Sequence, residues 1–274
     1  MDNRPIGIFD SGIGGLTCIP HLMRELPEEK IIYFGDTARV PYSARTFPVI
    51  RSFSMQIADF LVEQDVKMIV IACNTATVAS IEAIREKYPN IPVVGIIDKA
   101  VEKVAEVCTK EQRIGIIATK TTIGSGIYEK LIKFLNSELN VYSVACQAFA
   151  LLIEEGIVDK DIMNLVIKHY LDDFVLKHKI DTMVLGCTHY PIIRENIEEL
   201  YPDINIIDPS VEVVNKIKEQ LAKRDIFAKD SACENVFYAS ELTETFKSMM
   251  AKTVKGSEAN IKLKVWGDMT NYDT

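Results

Sequence analysis

Eight short runs rich in valine and isoleucine, separated by amphipathic stretches, constrain the fold more than any other feature of this chain. They fall at residues 5–9, 30–34, 67–72, 91–97, 113–118, 141–146, 181–186 and 204–207, each bounded by Gly, Pro, Asp or Asn. Helical periodicity occupies 47–63, 76–88, 161–179 and 191–201. Strands that are apolar on both faces must be covered on both faces, and intervening helices do this through parallel crossovers. The expectation is an α/β fold with mostly parallel sheets and a ligand beyond the carboxyl ends of the strands. Phe47, Phe53 and Phe60 recur at near-helical spacing and are expected to pack the core, while His169 and His178 read as surface or structural.

A weak internal repeat sharpens this. Arg4-Pro5-Ile6-Gly7-Ile8-Phe9 echoes Arg113-Ile114-Gly115-Ile116-Ile117, Met68-Ile69-Val70-Ile71-Ala72-Cys73 echoes Met183-Val184-Leu185-Gly186-Cys187, and Ile96-Ile97-Asp98 with Val101-Glu102 echoes Ile206-Ile207-Asp208 with Val211-Glu212. The offsets are 108, 114 and 110 residues, in the same order along the chain. Such self-similarity is the mark of a duplicated unit. Two similar, doubly wound halves related by a pseudo-twofold axis are expected, with the tail after about Lys223 outside the repeat.

The 274 residues suffice for two such units. A net charge of −8 argues against a nucleic-acid surface spread over the molecule. No apolar run approaches the roughly 20 residues that span a bilayer, and the start lacks a signal pattern, so a cytoplasmic protein is expected. Six cysteines (Cys18, Cys73, Cys108, Cys146, Cys187 and Cys233) lie far apart without metal-type spacing. In that compartment they are expected to be free thiols rather than a disulfide framework. The Cys18–His21 spacing reads as chance, and no metal site is expected.

The repeat superimposes Cys73 on Cys187. Each follows a strand, precedes small polar residues (Asn74-Thr75, Thr188-His189) and opens a helix, at Ala76 and at Pro191. A thiol at a helix N-terminus meets unpaired N–H groups and the positive end of the helix dipole, both of which favour the thiolate. Two such sulfurs facing each other across a cleft would address both faces of one ligand carbon, which suits inversion of a stereocentre. The glycine-rich Asp10-Ser11-Gly12-Ile13-Gly14-Gly15 matches neither the dinucleotide fingerprint nor the P-loop. It is either an anion-binding loop, with Ser11 adding a hydroxyl, or a tight turn capped by Asp10. In the second half, Thr119-Lys120-Thr121-Thr122 supplies three hydroxyls and a positive charge. With Asn74, Thr75 and Thr188 these neutral donors suit a small dicarboxylate. Asp10 could orient or deprotonate Cys73, and His189 could do so for Cys187. Asp36 and Glu154 are either auxiliary acids or a helix cap and solvated carboxylates.

Phe9-Asp10-Ser11-Gly12-Ile13-Gly14-Gly15-Leu16, Gly35-Asp36-Thr37-Ala38-Arg39-Val40-Pro41-Tyr42, Ala72-Cys73-Asn74-Thr75-Ala76 and Gly186-Cys187-Thr188-His189-Tyr190-Pro191 resemble the glutamate racemase family. The resemblance runs from the first strand to beyond Asp208. It implies a cofactor-independent enzyme that interconverts L- and D-glutamate for peptidoglycan synthesis, and a homodimer; from charge and hydropathy, no nucleic-acid or membrane partner is expected. It also implies two α/β domains, residues 1–98 plus 209–274 and residues 99–208, with glutamate between them. By the same resemblance Cys73 and Cys187 are the proton donor/acceptors, with Asp10, Asp36, Glu154 and His189 as auxiliary groups. The implied substrate contacts are Asp10, Ser11, Pro41, Tyr42 and Ser43 on one side of the repeat. Asn74, Thr75, Thr119, Thr122, Thr188 and His189 complete them.

Two residues depart from the family pattern: Ser43 follows Tyr42, and Thr121 precedes Thr122, where glycine is usual. A serine is tolerable there if its φ is negative. From the residues alone, a related aspartate racemase, a one-cysteine decarboxylase, a cysteine-dependent hydrolase and a dicarboxylate sensor stay open. So does a pyridoxal Schiff base on Lys120.

Overall fold

The computed structural model describes residues 1–229, 234–254 and 260–266. Cys233 lies outside the described residues. Within them, β1 (Ile6–Asp10), β2 (Ile31–Gly35), β3 (Met68–Ile71) and β4 (Val93–Gly95) belong to one sheet, and β5 (Arg113–Ala118), β6 (Asn140–Ala145), β7 (Thr182–Gly186) and β8 (Asn205–Ile207) to another. Two further strands, β9 (Val236–Ala239) and β10 (Asn260–Leu263), extend the first sheet, giving the orders β10-β9-β2-β1-β3-β4 and β6-β5-β7-β8. Every pairing is parallel. The expected α/β class with two parallel sheets is what the chain adopts.

The internal repeat survives as topology. The order β2-β1-β3-β4 recurs as β6-β5-β7-β8, so β1 corresponds to β5 and β3 to β7. In each sheet the chain reverses its direction of travel between the first and third strands of the repeat. That switch point leaves a crevice at the carboxyl ends, because the loops on either side run to opposite faces.

Residues of β1, β3 and β7 are all buried, which accounts for their unbroken apolar runs. Ile8 and Tyr33 on one face of the first sheet share a core with Ile116 and Val184 of the second. On the other face, Phe9, Phe34 and Ile71 pack with Ile50, Phe53, Ile57 and Phe60 of the helix Phe47–Glu63. Each fully buried side chain of this size contributes about 1.5–3 kcal/mol. Phe47 departs from expectation: it starts the helix and is 40% exposed.

Three element boundaries also differ. The run at 91–97 stops being strand at Gly95, because Ile96 begins the helix Ile96–Val107. The helix expected from Ala76 starts at Asn74, with Cys73 as its cap. The stretch 191–201 divides into a tight 3₁₀ turn, Tyr190–Ile193, and the helix Arg194–Leu200. The sequence pattern predicts neither β9 nor β10.

Candidate active site

Loops at the carboxyl ends of both sheets meet around one cleft that encloses about 370 Å³ of space, its mouth included. Ser11 follows β1, Pro41, Tyr42 and Ser43 follow β2, and Cys73, Asn74 and Thr75 follow β3. Facing them are Thr119 after β5, Glu154 at the end of the helix Gln147–Glu154, and Cys187, Thr188 and His189 after β7. Both sulfurs therefore line one cavity, each offered by the equivalent strand of its half. Val40 and Ala150 also line it. Val40 belongs to the family-like stretch 35–42, whereas Ala150 carries no sequence signal, since a small apolar wall residue looks like any other.

Three of the expected site residues stand behind the walls. Thr122 is buried, and its hydroxyl shares hydrogen bonds with those of Thr75 (3.2 Å) and Thr119 (3.1 Å). Asp10 accepts from the Gly12 N–H (2.9 Å) and the Thr188 hydroxyl (3.2 Å). Asp36 is fully buried and accepts from Arg39 Nε (2.6 Å) and the Tyr42 hydroxyl (2.5 Å), so it is neither a solvated carboxylate nor a side-chain cap. Its contact with the cleft runs through Tyr42.

The two sulfurs have unlike surroundings. Cys73 Sγ accepts from the Ala76 N–H at 3.4 Å and donates to Ser11 Oγ at 3.5 Å. Burial, reinforced by the negative charge of Asp10, pushes this thiol up to about 12, despite the opposing help of Ser11 and the helix N-terminus. Asp10 thus acts on Cys73 through its charge, and its hydrogen bonds go elsewhere. Asp10 itself is raised by burial, with His189 and the loop N–H groups opposing.

Cys187 Sγ lies 3.5 Å from His189 Nδ1, and His189 Nε2 lies 2.6 Å from Glu154 Oε1. Burial alone would lower the imidazole, but the Cys187 sulfur and the Glu154 carboxylate outweigh it and raise His189 well above its ordinary value. The ring keeps its proton and presents positive charge to the sulfur. Because the folded value is raised, the stabilisation that this proton brings is fully present below the unfolded value of about 6.5. It is lost as pH rises through the folded one.

The glycine-rich loop owes its composition to this second group. A Cβ on Gly12 would lie 2.1 Å from Glu154 Oε1, and one on Gly14 would lie 2.5 Å from Thr188 Oγ1 and 2.7 Å from His189 Nδ1. The Ile13 N–H donates to Glu154 Oε1 at 3.1 Å. The anion held by this loop is thus the chain's own Glu154, brought from the other half.

The surroundings of Cys73 predict how it meets iodoacetamide. The thiolate is the nucleophile, so Cys73, pushed up to about 12, is expected to stay almost unlabelled at pH 7. Labelling of Cys73 should rise about tenfold per pH unit through pH 10, as the anionic fraction of a group near 12 grows. Peptide mass spectrometry reads the rate, and ready labelling of Cys73 at pH 7 would contradict its raised value.

Comparison with known proteins bears on the same residues. The Asp/Glu/Hydantoin racemase family matches residues 17–217. A glutamate racemase of a Sulfurihydrogenibium species (strain YO3AOP1) is 43% identical over 235 residues, 83% of this chain and 89% of that protein. The chain belongs to the glutamate racemase family. Membership places it among the isomerases. The glutamate racemase of Lactococcus lactis is 38% identical over 268 residues, 96% of each chain. The glutamate racemase of Francisella tularensis, solved in complex with D-glutamate, superposes with a TM-score of 0.89 at 38% identity, covering 96% of this chain and 98% of that one.

Against that family pattern, the two departures meet beside the cleft, which Ser43 lines. Thr121 Oγ1 donates to the Ser43 carbonyl at 2.9 Å, and Gln147 Nε2 donates to Ser43 Oγ at 2.6 Å. Gln147 Oε1 in turn accepts from the Lys120 N–H at 3.0 Å. Ser43 is not among the positive-φ residues, so its backbone does not require glycine. Its side chain and that of Thr121 have become a polar seam between the two halves. The Lys120 residue is exposed and does not line the cleft.

Proposed function

We propose that this member of the glutamate racemase family interconverts L- and D-glutamate by direct proton transfer at Cα. The observation that carries the reading is the presence of Cys73 and Cys187 on one cleft, each with its own polar support. One sulfur, as thiolate, removes the Cα proton from one face; the other, as thiol, delivers a proton to the opposite face. In the reverse direction the roles exchange. Thiolate and thiol are thereby swapped in each turnover, so a proton must return between them before the same enantiomer reacts again. The unshared amide hydrogens of Asn74 and the hydroxyls of Ser11, Thr75 and Thr119 supply donors for the two carboxylates of the substrate. The positive His189 stabilises sulfur charge at Cys187, and Glu154 orients the ring.

The same proposal takes residues 1–98 plus 209–274 and residues 99–208 as the two domains. Support comes from the assignment of β9 and β10 to the first sheet and from the four-stranded second sheet. A homodimer, a cytoplasmic location and a role in peptidoglycan synthesis complete it, resting on family membership alone.

Incubation with each enantiomer in deuterated water tests the reaction. The circular dichroism of either L- or D-glutamate should decay to zero, with one deuterium entering Cα. L-aspartate serves as the competing substrate, compared by kcat/KM. Glutamate binding without isotope exchange would overturn the proposal.

A further inference from the structure

Three buried side-chain atoms among the described residues lack a hydrogen-bond partner: Glu29 Oε2, Arg39 Nη2 and Asn74 Nδ2. Two have electrostatic company. Glu29 Oε2 lies 2.7 Å from Lys67 Nζ, and the Arg39 guanidinium stacks on Phe53 at 4.1 Å and Trp266 at 4.9 Å. Asn74 Nδ2 has none, and Asn74 lines the cleft. Its other amide atom, Oδ1, accepts from the Tyr128 hydroxyl at 2.7 Å.

The orientation of this amide follows from counting donors and acceptors. As described, the phenol hydrogen is satisfied and only Nδ2 is orphaned. With the amide turned over, the NH₂ would face the phenol oxygen, and both the phenol hydrogen and Oδ1 would lack partners. Leaving a buried polar group unpaired costs about 1–3 kcal/mol, so the described orientation wins. Tyr128 is fully buried, and burial raises its phenol, which keeps the proton it donates. Its ring is held against Gly186, where a Cβ would come within 3.3 Å of it. Tyr128 sits in the helix Ile127–Leu135, beyond β5, whereas Asn74 follows β3. The bond therefore joins the two halves beside the cavity.

We infer that Tyr128 is a positioning residue that fixes the polarity of the Asn74 amide, turning its NH₂ toward a ligand carboxylate and keeping its oxygen away. An NH₂ facing a carboxylate is relieved of its unpaired state on binding. An amide oxygen in that place would repel the same group. The preference is thus for an anionic ligand group, and it is set by a side chain that does not touch the ligand.

This inference rests on the proposed glutamate reaction, and the test separates the two. Tyr128→Phe keeps the ring and removes the hydroxyl. The expected result is a rise of about tenfold in KM for both enantiomers, equivalent to 1.4 kcal/mol, with kcat within about twofold. Such a split is the sign of lost uniform binding. In an Asn74→Ala background the same substitution should change KM by less than twofold, because no amide is left to orient. Asn74→Asp, which places a second carboxylate oxygen at the ligand, should weaken D-glutamate binding by calorimetry more than Asn74→Ala does. An unchanged KM in Tyr128→Phe, an equal loss in the Asn74→Ala background, or Asn74→Asp binding as well as the parent would each overturn the inference. A parent protein that fails to racemise glutamate would instead remove the proposed function.

Discussion

Cys73→Ala and Cys187→Ala are each expected to lower racemisation by about 10³-fold or more, since the proposed reaction assigns one sulfur to each face of the substrate. Both sulfurs are nearly inaccessible, 5% and 6% exposed, and alanine leaves only a small gap in their place, so the fold should persist. The remaining sulfur gives these variants a distinctive signature. It can still remove and return a proton on its own face, so one enantiomer should slowly acquire deuterium without inverting while the other stays inert. The two variants should differ in which enantiomer exchanges. Circular dichroism measures inversion and mass spectrometry measures exchange. Racemisation near the parent rate in either variant would exclude a two-sulfur mechanism.

His189→Asn is expected to cost about 10²-fold in kcat, because it withdraws the positive partner 3.5 Å from Cys187 Sγ. Glu154→Gln keeps a hydrogen-bonding group beside Nε2 but loses the charge that helps His189 hold its proton, so the loss should be smaller, on the order of tenfold. The pH profile carries the sign. His189 is raised, so the limb that it governs lies above the usual imidazole range, and activity falls as pH increases through it. In His189→Asn that limb should disappear. Exchange at the face served by Cys187 should slow more than exchange at the face served by Cys73. Equal slowing at both faces, or an unaltered profile, would show that the imidazole supports the fold rather than the Cys187 sulfur.

Strand cores and both sulfurs are legible in the sequence because buried parallel strands impose continuous apolar runs, and the repeat aligns Cys73 with Cys187. The shared strand order is the structural counterpart of that alignment. The helix boundary at Asn74 is not legible: the cap is a cysteine sulfur, outside the usual capping residues. Nor is the end of β4, since the apolar run through Ile96 and Ile97 reads equally as strand or buried helix. Strands β9 and β10 are four residues each, and in β10, at the edge of the sheet, Lys262 breaks the apolar run.

Within the site, the sequence of the glycine-rich loop fits an anion site or a capped turn. Its steric role toward Glu154, Thr188 and His189 depends on residues more than 130 positions away. Tyr128 and Gln147 have no local signature at all. Their importance arises only from partners at Asn74 and Ser43, across the cleft.

The inequality of the two sulfurs has a thermodynamic consequence for a racemase. Mirror-image amino acids have identical free energies in water, so kcat/KM must come out equal in the two directions, however lopsided the protein around them. A hydroxyl beside Cys73 and a charged ring beside Cys187 can therefore only trade affinity against turnover for each hand, with any gain in one constant matched by the other. The architecture governs how quickly a solution reaches equal parts and never where it stops.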